Sequence, residues 1–83
     1  MNNNIESKFE LKVKAIIADA IGVETLDINN ADRFTEELHM GLAELTDLIE
    51  KISGTGINTK NIEVSELTTV ESLIEELESE EII

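Results

Sequence analysis

Apolar residues recur at three- and four-residue intervals in three separate stretches of this chain, and that spacing limits the fold more than any other feature. Ile5, Phe9, Val13, Ile16, Ile17, Ala20 and Ile21 form the first stripe. Leu42, Leu45, Leu48, Ile49 and Ile52 form the second, and Val70, Leu73, Ile74 and Leu77 the third. An α-helix turns once in about 3.6 residues, so each set falls on one side of one helix. No proline interrupts any of them. Three amphipathic helices in 83 residues predict one small all-α domain spanning the chain, residues 1–83. A chain this short buries only about 60–65% of the surface it exposes when unfolded, so its stability is expected to be modest.

The helix ends carry signals of their own. Asn3 or Asn4 is expected to cap the first helix, with Glu6 near the reciprocal position. Gly22 suits the left-handed residue that closes it. Gly41 stands at the join between a loop and the second helix, which Ser53-Gly54-Thr55-Gly56 ends. Thr68-x-x-Glu71 reads as a capping box for the last helix, with Leu67 as the apolar residue ahead of it. Residues 60–65 read as a short helical turn with Ile62 inward. The tail from Glu78 to Ile83 sets acids at a helix C-terminus, where the dipole disfavours them, so it is expected to fray, as are residues 1–4.

Between the first two helices runs a long loop, 23–40, whose apolar points are Val23, Leu26, Ile28, Phe34 and Leu38. A loop of this length packs by its own side chains or serves function. Its Asp27, Asn29, Asn30 and Asp32 do not make a calcium loop. An EF-hand opening at Asp27 needs an oxygen ligand where Ala31 stands and a glycine where Asp32 stands. Turn and capping roles fit these residues better.

Net charge is −13. Residues 1–14 balance at +1, so the remaining 69 residues carry −14. Such a surface repels nucleic-acid phosphates and anionic lipid heads and attracts basic protein patches. No stretch has the roughly 20 apolar residues of a membrane helix. The first ten residues lack the basic start and apolar core of a secretory signal, and there is no cysteine, so the cytosol is the expected compartment.

The chemistry-bearing residues are sparse. His39 is the only histidine. Without a second histidine, a cysteine or a paired serine it supports neither a metal cluster nor a catalytic triad. Gly54 and Gly56 lack the Lys-Ser/Thr that follows a phosphate-binding loop. The many carboxylates lie in polar settings that would not raise their pKa for acid catalysis. No enzyme activity and no metal site are expected.

Several pieces of this chain resemble the acyl carrier protein family. Phe34-x-Glu36-Glu37-Leu38, a short loop and an acidic amphipathic helix resemble that family's centre. Ile16-Ile17 through Gly22-Val23 resembles the end of its first helix, and Leu67-Thr68-Thr69-Val70-Glu71 the entry to its last. The resemblance covers about residues 5–77. It implies a small four-helix bundle: three main helices, one short helix, and a long loop between helices I and II pinned in the core by Phe34. In the family, a phenylalanine also closes the core after helix II, where this chain has Gly56 and Ile57. The family's helix II docks onto basic patches of partner enzymes. By resemblance Glu36, Glu37, His39, Met40, Glu44, Asp47 and Glu50 are the expected partner-docking residues.

The family's attachment serine, which carries a 4'-phosphopantetheine arm at the start of helix II, is missing. Its position aligns with Gly41 or with Leu42, and neither has a hydroxyl. Thr46 lies a turn further in. No cofactor is therefore expected. The expected function is a carrier-like monomer without its arm, docking on basic surfaces of acyl-carrier-dependent enzymes in fatty-acid, polyketide or related acyl metabolism. The alternatives are a working acyl carrier with a variant or substituted attachment site, which would bear 4'-phosphopantetheine, and an unrelated acidic helical interaction protein.

Overall fold

Ser7 opens the first helix, Lys8–Ile21 (α1), in the computed structural model, which describes the backbone of residues 7–81 and the side chains of residues 7–79. Its hydroxyl accepts from the Glu10 N–H at 3.1 Å, and the Glu10 carboxylate accepts from the Ser7 N–H at 3.2 Å. This is a complete capping box. The expected cap at Asn3 or Asn4, with Glu6, and the stripe residue Ile5 lie outside the described residues. At the other end Gly22 adopts φ +80°, and its N–H and that of Val23 both donate to the Ala18 carbonyl. A residue with a Cβ would be strained there.

Val13 and Ile17 of α1 are completely buried, Ala18 and Lys14 share that buried side, and Phe9, Ile16, Ala20 and Ile21 are half-buried beside them. The second helix, Leu42–Gly54 (α2), buries Leu45, Leu48, Ile49 and Ile52. Leu42 departs from the expected stripe: it is in phase with Leu45 and Ile49, yet 61% exposed. It is the first residue of α2, where the helix end projects past the core. The third helix, Val70–Glu81 (α3), buries Val70, Leu73, Ile74 and Leu77. Helix α1 packs against both α2 and α3. Of the tail expected to fray, Glu78 to Glu81 continue α3, and residues 82–83 lie outside the described residues.

Two single-turn 3-10 helices complete the regular structure, Thr25–Asp27 and Val64–Glu66. The second corrects the helical turn expected at 60–65. The turn forms at its C-terminal end, where Leu67 N–H and Glu66 N–H close back onto Val64 and Glu63. Ile62 and Val64 lie half-buried against the core. Ile57 is buried just after α2. No strand occurs among the described residues, so the fold is all-α.

The long loop is tied to the start of α3 by backbone hydrogen bonds. Phe34 N–H donates to the Thr68 carbonyl, Val70 N–H to the Asp32 carbonyl and Glu71 N–H to the Asn30 carbonyl, at 2.9–3.0 Å. Arg33 and Thr69 form one isolated antiparallel bridge there. This pairing moves the helix cap one residue from its expected place. Thr69, not Thr68, caps α3: its hydroxyl accepts from Ser72 N–H, and the Ser72 hydroxyl accepts from Thr69 N–H, both at 3.1 Å. The first three N–H groups of α3 are thus all satisfied, two by the loop and one by the cap. Phe34, at the centre of the pairing, is completely buried. Within the loop, Asp27 and Asp32 accept the N–H groups of Glu24 and Asn29, the local turn roles expected of them.

Candidate docking site

The residues leading into α2 follow a tight path. Arg33 N–H donates to the Glu37 carboxylate at 2.7 Å, Leu38 N–H to the Arg33 carbonyl and Met40 N–H to the Phe34 carbonyl. To close this turn His39 takes φ +54°, a left-handed conformation uncommon outside glycine. The Arg33 N–H, and after it the residue's own N–H, favour the charged Glu37 carboxylate. The charges of Arg33 and His39 act in the same direction, against some desolvation, and the pKa lies below the ordinary carboxylate value. Arg33 also pairs with Glu36 at 3.1 Å, but both side chains are 60% exposed, so this ion pair contributes little.

Gly41 is the residue before α2, with φ −86° and ψ −173°, extended backbone open to any residue. Its N–H donates to the Glu44 carboxylate at 3.0 Å. That is half of a capping box, the other half lacking only a hydroxyl at position 41. A Cβ added to Gly41 would meet the end of the Glu44 side chain at 3.1 Å, a flexible neighbour. Gly41 and Leu42 therefore both stand at the exposed start of α2. Thr46 is exposed too, with its hydroxyl donating to the Leu42 carbonyl at 2.9 Å.

Of the expected docking residues, Met40, Glu44, Asp47 and Glu50 line one cleft of about 380 Å³ between the end of α1 and α2. Met40 is 3% exposed, so it contributes floor to the cleft rather than a projecting contact. The other three are exposed carboxylates. Glu36 stands elsewhere, in a shallow hollow with Arg33, Thr35 and Thr68. Glu37 and His39 are exposed on the preceding turn and line neither.

Four further residues line the cleft: Ala20, Ile21, Leu48 and Lys51. Ala20 and Ile21 were legible as the last turn of the α1 stripe, but nothing local says that this turn faces α2. The site has three carboxylates and one ammonium at its edge, and of its apolar floor Ala20 and Ile21 keep partial exposure while Met40 and Leu48 are buried beneath. That arrangement can seat an apolar side chain flanked by cations. Among the described residues no three His, Cys, Asp or Glu side chains gather as a metal ion would need, and no helix is long and apolar enough to cross a membrane.

No protein-family model matches the chain, and no curated protein matches its sequence.

Proposed function

We propose that this chain is an acyl-carrier-protein-like docking module without a prosthetic arm. In this reading α1, α2 and α3 correspond to helices I, II and IV of the four-helix carrier bundle, and the turn at Val64–Glu66 to its short helix III. The module is a cytosolic monomer that engages basic surfaces of acyl-carrier-dependent enzymes in fatty-acid, polyketide or related acyl metabolism. It performs no catalysis itself. The observation that carries this reading is the junction at Gly41. An exposed helix start without a hydroxyl leads directly into a helix whose Glu44, Asp47 and Glu50 rim an apolar cleft.

The test is incubation with a phosphopantetheinyl transferase and coenzyme A, followed by intact mass. The parent should gain nothing, and Gly41→Ser should gain the mass of the arm. A gain on the parent would instead make the chain a working carrier with a variant attachment site. If neither Gly41→Ser nor Leu42→Ser gains mass while both remain folded, the transferase does not recognise this surface and the carrier reading falls.

A further inference from the structure

The outward side of α1 is unlike the rest of the surface. Lys8, Lys12 and Lys14 outnumber Glu10 and Asp19 in this helix, whereas acids outnumber bases in α2 and α3. Leu11 is 41% exposed, Ala15 is exposed, and Ile16 is half-buried beside them. Lys12, Ala15, Ile16 and Asp19 line one wall of a groove of about 430 Å³, and Lys51 and Thr55 of α2 line the other. Lys12 and Asp19 are both exposed, and neither side chain has a hydrogen-bond or ion-pair partner among the described residues. They do not pair with each other. Seven residues are two turns of helix, which puts them on one side but roughly 10 Å apart.

We infer that this side of α1 is a self-association face, and that its occupant is α1 of a second copy lying antiparallel across it. The charges choose this occupant. Lys12 and Asp19 stand equidistant from the midpoint between Ala15 and Ile16. A two-fold axis through that midpoint brings Lys12 to the partner's Asp19 and Asp19 to the partner's Lys12. A parallel pair would set lysine against lysine, and a partner of one charge sign would attract one of the two residues and repel the other. Ala15, beside the axis, is small enough to let the helices approach to the usual distance of about 8–10 Å. Leu11, Ala15 and Ile16 supply apolar area that pairing covers. Elsewhere two chains of charge −13 repel, so the helix with a surplus of lysines is where they meet with least repulsion. A face one helix wide and about 21 Å long is small for an interface, so the pairing is transient. The dilute chain is the monomer described above, and pairs form as its concentration rises. The inference stands on α1 and does not rest on the docking reading.

The test is the concentration dependence of size for the full chain, by sedimentation equilibrium at physiological salt, with the fold of every variant checked by circular dichroism. Lys12→Asp and Asp19→Lys each turn the two attractive contacts into two like-charge contacts. Each should weaken pairing about tenfold or more, the scale of two exposed ion pairs. Asp19→Lys is the sharper of the two. It lowers the net negative charge, so it would strengthen any pairing governed by general electrostatics. The double variant Lys12→Asp/Asp19→Lys keeps the parent's net charge, exchanges the two signs and should pair about as well as the parent. In a mixture of ¹³C-labelled and unlabelled parent, the Ala15 methyl should show intermolecular contacts to Ile16 across the axis. A parent that stays monomeric at every concentration up to its solubility overturns the inference. So does a parent that pairs while the double variant, still folded, pairs no better than the single ones, because the contact then does not use this register. Either failure leaves the transferase experiment above untouched, since that experiment reads the start of α2 and not the face of α1.

Discussion

The backbone N–H of Phe34 donates to the carbonyl of Thr68 at 3.0 Å, joining the middle of the long loop to the residue just ahead of the α3 cap. This contact fixes both ends at once. It holds the Phe34 ring in the core, where none of it is exposed, and it sets where α3 can begin. Phe34→Ala should cost about 3–5 kcal/mol, the range for deleting a buried phenylalanine. Denaturant melts measure it. A loss under about 1 kcal/mol would mean the ring does not fill this position in solution.

The adjacent threonines should behave differently. Thr69 supplies the hydroxyl that caps α3, whereas Thr68 contributes its carbonyl, which any residue retains. Thr69→Ala should therefore cost about 1 kcal/mol, the usual loss for a helix cap. Thr68→Ala should stay within about 0.5 kcal/mol of the parent. Equal losses at the two positions would show that the cap is not where the hydrogen bonds put it.

Substitution at the start of α2 should be mild. Leu42 is 61% exposed, so Leu42→Ser should cost less than about 1 kcal/mol rather than the 2–5 kcal/mol of a core leucine. Gly41→Ser places a hydroxyl where the Glu44 N–H can reach it and should be neutral or stabilising by a few tenths of a kcal/mol, roughly the difference between serine and glycine caps. Thermal melts of both variants check this. Their tolerance is also what makes them usable as attachment-site probes.

Acid should weaken the turn before α2. Glu37 has a depressed pKa in the folded chain, so it binds fewer protons folded than unfolded as the pH falls. Its contribution is complete above the ordinary carboxylate value and is lost as the pH drops through the lower, folded value. The Glu37→Gln variant should lose that part of the pH dependence, giving a shallower decline in stability than the parent across the acid range. Matched melts at several pH values would reveal it, and parallel curves would rule it out.

The three stripes and Phe34 could be read from sequence because helical phase and isolated apolar anchors are local properties. Leu42 could not, because phase says which side a residue lies on and nothing about where the neighbouring helix ends. The cap of α3 falls on Thr69 and not on the Thr68 that the local pattern predicts, for a related reason. Thr68-x-x-Glu71 is a sound local signal, but the N–H of Glu71 is claimed by Asn30, a residue some forty positions away. At the candidate site, the acidic residues of α2 were evident from their charge. Their grouping with Ala20 and Ile21 depends on how α1 lies across α2, which neither helix encodes alone. The family resemblance groups Glu36, Glu37 and His39 with them, yet the turn closed by His39 carries these three out of the cleft lining.

The pairing of residues 30–34 with residues 68–71 also makes the two parts of the chain mutually templating. A break between exposed Asn58 and exposed Lys60 would leave one piece with α1, the loop and α2, and another with α3 and the backbone that leads into it. The first piece would display the Asn30 and Asp32 carbonyls and the Phe34 N–H as an unfilled edge, and the second would carry the complementary groups. Such fragments have the makings of a split reporter, silent apart and ordered only on reassociation.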